Sequence, residues 1–208
     1  MRPPALHARG YADADYVPTE YNRRVLSNTN PVLLTAHPST PNDAVRSLEA
    51  RVRADESGIL VFEYSLAADL SRVRIPLPAA GERADALWRH TCFEAFVAPA
   101  GTRGYYEFNF SPTLEWAAYR FSAYRDGMWS AEIGRPPTLS LHRRNDGLDL
   151  QSTVYVERLG DLRGPLRIAL DAVIEDENGG LSYWGLRHPP GKPDFHHPRG
   201  FVLELGCP

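Results

Sequence analysis

Apolar and polar residues along this chain alternate at every second position, not every third or fourth. In SLEARVRA (47–54), Leu48, Ala50 and Val52 fall on one side and Glu49, Arg51 and Arg53 on the other. That is the period of a half-buried strand. The turn-like DESG (55–58) leads into the apolar GILVFEYSL (58–66), so 47–66 reads as a β-hairpin. PVLLTA (31–36) is an earlier strand, HPSTPND (37–43) a loop, and SRVRI (71–75) alternates again before Pro76. PLPAAGERAD (76–85) reads as a loop or a short helical turn.

The second half repeats the pattern. A strand is expected near 92–98. In GYYEFNFSP (104–112), Tyr106, Phe108 and Phe110 alternate with Tyr105, Glu107 and Asn109. LEWAAYRFSAYRDG (114–127) also alternates, and its aromatic content and flanking Ser-Pro and Asp-Gly favour strand over helix. PTLSLHRRNDGLDLQSTVYVE (137–157) carries an Asn-Asp-Gly turn between two strand-like runs. Further strands are expected in 164–176, in 177–188 after a Gly-Gly turn, and in 201–205. About ten short strands with turns every 8–12 residues, and no amphipathic helix, indicate an all-β chain. The expected fold is a single antiparallel β-sandwich, jelly-roll-like, over 31–208. Residues 1–30, polar and punctuated by proline, read as an irregular N-terminal arm. No repeat, low-complexity block or linker divides the chain.

Composition narrows the function. The 208 residues are 43% hydrophobic and 24% charged, ordinary for a globular protein and unlike a disordered or collagen-like chain. No apolar run approaches the ~18 residues of a membrane span. A formal net charge of −3 gives no global basic field for nucleic acid. Of the basic residues, 22 are Arg and only Lys192 is Lys, a compositional bias toward Arg. Cys92 and Cys207 make neither a disulfide framework nor a zinc knuckle. The start lacks the apolar segment of a secretory signal, so a cytoplasmic location is expected.

Two clusters could carry chemistry. The first is Trp88, His90, Cys92 and Glu94, which share one face of a strand, with Glu107 and Asn109 on the next. Pairing 92–98 with 104–111 brings Glu94 near Asn109. A ring that stacks on a sugar's C–H face, beside polar groups that bond its hydroxyls, makes a sugar-binding surface. The competing structural reading puts Trp88 in the core and pairs Glu94 with an arginine such as Arg120. The second cluster is SYWGLRHPPGKPDFHHP (182–198), with Trp184, Arg187, His188, Lys192, Asp194, His196 and His197. Its prolines make 189–198 a rigid irregular loop, suited to binding when held on a rigid sheet or to closing the surface with its histidines capping backbone groups.

Other chemistries are weaker. His188, His196 and His197, with Asp194 or the distant His90 and Cys92, match no strong zinc motif, so no metal ligand is assigned. Glu94 and Glu107 on adjacent strands suggest a glycosidase pair, but their strand parities leave open whether they share a face. There is no GxSxG, GxGxxG or P-loop. Met128 with a histidine could ligate haem, yet no CxxCH occurs.

The run LWRHTCFEAFVAP…YYEFNFSPTLEWAAYRFSAYRDGM resembles the DOMON-like domain, a ligand-binding β-sandwich similar to type 9 carbohydrate-binding modules. YWGLRHPPGKPDFHHP resembles the ending of its small stand-alone bacterial members. The resemblance spans about 31–205 and implies sugar or haem binding. In the sugar-binding modules it implies two tryptophans sandwiching a terminal sugar, with a glutamate six residues after the first. Trp88 and Glu94 have that spacing, and Trp184 is the expected second wall. The calcium-binding acidic segments of those modules are not evident, and neither is an axial Met and His pattern.

The expectation is therefore a non-catalytic binding protein without a cofactor. It would take a small sugar-like ligand, with no nucleic acid or membrane as partner. Trp88 and Trp184 would hold the ligand, Glu94, Asn109 and Arg120 would bond it, and His90 would stand on the Trp88 face. His188, Lys192, Asp194 and His196 would line or close the site, with Lys192 and Arg187 suiting an anionic ligand. The alternatives are a carbohydrate-active enzyme using Glu94 and a loop histidine as acid and base, a haem-binding DOMON-type domain, or an interaction module with an exposed aromatic face.

Overall fold

The computed structural model describes residues 30–206, except 56, 57, 78, 157 and 163. The expected N-terminal arm (1–30) lies outside the described residues apart from its last position, as does Cys207.

Twelve strands are present among the described residues: β1 (Val32–Ala36), β2 (Val45–Ala54), β3 (Ile59–Ala68), β4 (Cys92–Pro99), β5 (Tyr105–Phe110), β6 (Trp116–Phe121), β7 (Trp129–Ser130), β8 (Thr138–Arg144), β9 (Gly147–Tyr155), β10 (Leu166–Glu175), β11 (Leu181–Gly185) and β12 (Leu203–Leu205). All pair antiparallel, in the order β7-β6-β5-β4-β10-β11-β1-β2-β3-β9-β8. The all-β sandwich is therefore as expected. Its two layers are one curled sheet that folds at β1. Val32–Leu34 pair with β2 in one layer, while Thr35 and Ala36 pair with β11 in the other.

The layers differ in how they meet water. In β3, and in β2 from Leu48 onward, every second residue is buried and the others are partly or fully exposed, so this layer has one wet face, as the alternation predicts. In β4, β5 and β10 nearly every residue is buried. Phe93, Phe108 and Phe110 face the inter-layer core, where Phe62 packs against Phe108 and Phe110, and Tyr64 against Phe93. The alternate residues, Cys92, Phe96, Tyr105, Tyr119 and Phe121, form a second cluster on the opposite, outer face.

The outer face is covered because of how β10 is paired. Residues 171–175 pair with β11, and residues 166–168 pair with β12 on the same edge. The segment between β11 and β12 thus leaves and returns to one edge of one strand. It crosses the sheet face as a strap. A short 3-10 helix at Leu87–Arg89 covers another part of this face.

Two expectations differ in detail. The 71–75 run forms no strand; it contributes only an isolated bridge from Val73 to Asp176. The strand expected across 114–127 ends at Phe121, and Ala123–Asp126 closes a tight turn.

Candidate functional site

A row of residues crosses the outer face in register. Asp171 on β10 lies opposite Glu94 on β4, which lies opposite Asn109 on β5, which lies opposite Ala117 on β6. Glu107, two residues from Asn109, shares this face. Both glutamates line a cleft of about 350 Å³ with Trp88, Phe121, Arg125, Met128, Val173, Tyr183, Pro193, Phe195 and His196. Carboxyl groups form its floor, aromatic rings its walls, and the strap one side.

Local geometry presents these side chains. Ala86 (φ 60°) turns the chain into the helix that carries Trp88, and Trp88 meets Tyr119 edge to face. Arg125 also has left-handed backbone (φ 52°). Such non-glycine conformations cost of order 1–3 kcal/mol and persist where surrounding structure enforces them.

The strap is held at four points. Asp194 accepts from Arg125 Nη2 at 2.7 Å and from the Tyr124 hydroxyl. The Phe195 ring meets Tyr183 edge to face. His196 stands among Phe96, Tyr105 and Phe121. Its Nδ1 lies 2.8 Å from the Tyr105 hydroxyl and its Nε2 3.8 Å from Glu107 Oε2. The Tyr105 oxygen also accepts from the Arg125 amide. Phe201 closes the strap against Phe96 and Tyr105.

Electrostatics follow from burial. Glu94 is 3% exposed and Asp171 2%. Burial pushes both carboxyls well above the usual range, and for Glu94 repulsion from Glu107 and Asp171 adds to it. Burial pushes Glu107 up to about 7 against the Asn109 hydrogen bond, which lowers it. His196 falls to about 4, through burial and then the Arg125 charge. Its imidazole is neutral near pH 7, and the paired carboxyls retain protons that exposed ones would lose. Glu94 Oε1 and Asp171 Oδ2 have no hydrogen-bond partner.

The structure sorts the residues expected from the sequence. Trp88, Glu94 and His196 line the cleft. Asn109 lies beneath it, fully buried, with its amide given to Glu107 Oε1. Asp194 anchors the strap through Arg125. His90 lies at the margin of this face with Nδ1 2.8 Å from Glu175 Oε2. Glu175 also accepts from Arg74. His188 approaches the Thr35 carbonyl at 2.7 Å and packs on His37, a backbone-capping role. Lys192 is exposed and lines a separate shallow hollow with Pro189, Pro190 and Tyr124.

Two expectations are corrected. Trp184 is no second wall: its side chain belongs to the inter-layer core, 7% exposed, with Nε1 donating to Ser182 Oγ. Successive strand residues point to opposite faces, so its neighbour Tyr183 reaches the cleft. Arg120 belongs to the opposite face from Tyr119 and Phe121 for the same reason. It pairs with Asp161 at 2.6 Å and lies over the Tyr106 and Trp129 rings, so it neither enters the cleft nor pairs with Glu94. The open question of Glu94 and Glu107 is answered: they share a face. Met128 and His196 both line the cleft, but His196 Nε2 is turned toward Glu107. Among the described residues, no group of three or more His, Cys, Asp or Glu is placed to hold a metal ion.

Tyr183, Phe195, Arg125 and Asp171 were not singled out from the sequence. Parity on the strand of Trp184 could have marked Tyr183. Nothing local marks Asp171, which reads as one of three polar residues, with Arg167 and Glu175, in the mainly apolar run LRIALDAVIE.

No family model matches the chain, and no curated protein does. Among solved structures, the chain is similar to a candidate carbohydrate-binding protein from Bacteroides uniformis, with a TM-score of 0.66 and 16% identity over 85% of this chain and 84% of that one. It is also similar to a family 9 carbohydrate-binding module from Caldicellulosiruptor kristjanssonii, solved with cellotriose, at a TM-score of 0.47 and 11% identity over 96% and 90% of the two chains. At 16% identity, the Bacteroides protein and this chain share a fold.

Proposed function

We propose that this protein is a non-catalytic carbohydrate-binding β-sandwich that holds a small sugar in the outer-face cleft. The observation that carries the reading is the pairing of buried carboxyls, Glu94 and Glu107, with Trp88, Tyr183 and Phe195 around one cavity. Rings offer apolar faces to a sugar's C–H groups, and carboxyl oxygens accept from its hydroxyls. A volume of about 350 Å³ is at the small end of ligand sites, suited to one or two sugar rings. The DOMON-like motifs and the shared fold with a candidate carbohydrate-binding protein support it.

The test is calorimetric titration with mono- and disaccharides, followed by Trp88→Ala. A sugar that binds the parent and not the variant, with the melting temperature little changed, supports the proposal. Failure of every sugar to bind, or equal binding by Trp88→Ala, overturns it. A hydrolytic reading has one observation in its favour, the shared face of Glu94 and Glu107. It predicts product release from a bound glycoside, abolished in Glu94→Gln, and intact ligand after prolonged incubation would end it.

A further inference from the structure

Glu94, which lines the cleft, and its cross-strand neighbour Asp171 are acid groups that the protein itself leaves without counter-charge. Asp171 and Glu94 lie directly opposite each other on adjacent strands. Each is at least 97% buried, and each has one oxygen without a partner. Among the described residues, neither forms an ion pair. The arginines around them are committed elsewhere, Arg125 to Asp194 and Arg74 to Glu175, and the His188 ring is bonded to the Thr35 carbonyl. His90 is held by Glu175, and neutral His196 faces Glu107. The one amide of the row, on Asn109, already donates to Glu107. The floor thus has unpaired carboxyl oxygens and no cation of the protein's own paired with Glu94 or Asp171. A buried acceptor without a donor is costly, and two on neighbouring strands repel when charged.

A ligand that repairs this arrangement brings donors and positive charge together. An ammonium group has three donors and no acceptor. Aromatic faces such as Trp88, Tyr183 and Phe195 also attract cations. We infer that the cleft selects a sugar bearing a cationic amine, with its ammonium seated on Glu94 beside Asp171. This deepens the carbohydrate-binding reading and rests on it. An amine placed there favours the ionised carboxyls, so binding near pH 7 releases protons into the buffer, whereas a neutral sugar releases none.

The experiment compares D-glucosamine, D-glucose and N-acetyl-D-glucosamine by calorimetry at pH 7 in two buffers of different ionisation enthalpy. The inference predicts glucosamine at least ten-fold tighter than both others, with a buffer-dependent enthalpy for the amine alone. Glu94→Gln removes the charge and keeps the size of the side chain, so the ratio of glucosamine to glucose affinity should fall to about one, whatever the substitution does to the affinity for both. Asp171→Asn, checked by circular dichroism like the first variant, should weaken the preference in the same direction. Glucose or the N-acetyl sugar binding as tightly as glucosamine overturns this inference and leaves the carbohydrate reading standing. No binding by any of the three overturns this inference, and the carbohydrate reading falls with it only when every mono- and disaccharide of the wider titration also fails to bind. An amine preference that survives both substitutions also overturns the inference, because the charge then lies elsewhere.

Discussion

The Asn109 amide donates to Glu107 Oε1 at 2.7 Å, two residues along one strand and on one face. Both side chains are buried, so this bond fixes where the Glu107 carboxyl stands beside His196. Asn109→Leu removes the donor and leaves a buried oxygen unpaired, at a cost of about 1–3 kcal/mol. Because the bond holds the Glu107 pKa down, its loss should move that pKa further above about 7. Carbon-13 NMR titration of the Glu107 carboxyl checks the direction.

Glu107 and His196 give opposite pH dependences. Glu107 has its folded pKa raised to about 7 from 4.5, so its contribution to stability is present below pH 4.5 and is lost as pH rises through 7. His196 is lowered to about 4 from 6.5. Its folded form binds fewer protons, so its contribution is present above pH 6.5 and is lost as pH falls through 4. Each amounts to roughly 3 kcal/mol at 1.36 kcal/mol per pKa unit. Relative to the parent, Glu107→Gln should gain stability as pH rises from 4.5 to 7, and His196→Gln should lose it over 4 to 6.5. Urea melts at several pH values measure both, and parallel profiles for the two variants would refute the assignment.

The two tryptophans expected as partners should behave differently. Trp184 lies in the inter-layer core, and Trp184→Ala should cost about 3–5 kcal/mol of stability, as large-to-small core changes do. Trp88 is only partly buried at the cleft, and Trp88→Ala should cost less than half as much while abolishing ligand binding. Denaturant melts paired with titration separate the roles.

Gly185 has its own constraint. A Cβ there would overlap Asp171 Oδ1 and approach His188 Cε1 at 3.4 Å. Gly185→Ala should therefore displace the Asp171 carboxyl and cost about 1–3 kcal/mol, the usual range for overpacking. In Asp171→Ala the clash is gone, so adding Gly185→Ala there should cost little. A double-mutant cycle by thermal denaturation reads this coupling, and additive costs would argue against it.

Much of this architecture was legible in the sequence. Period-two alternation marked β2 and β3 because one face of their layer is wet, so polarity tracks position. The Asn-Asp-Gly turn between β8 and β9 was readable because Asn145 and Asp146 form the two-residue loop from Arg144 to Gly147. Trp88, Glu94 and His196 were legible as chemistry in clusters. Arg120 and Trp184 were misplaced because each lies one position away from a residue that does face the cleft or its walls, and local composition does not decide parity.

The sequence by itself determined the strands, the single antiparallel sandwich and the proline-rich segment near the end, because these rest on local periodicity and turn chemistry. Only the tertiary structure decided which face each strand turns outward. It also decided that β11 and β12 share one edge of β10, so that the strap must cross the sheet. Glu94 and Glu107 come from one hairpin, but Asp171 is far from both in the chain, and only the long-range pairing of β10 with β4 sets it opposite Glu94 on the face that carries the cleft. Their burial raises their proton affinity, and burial is a property of the assembled sheet that no local pattern contains.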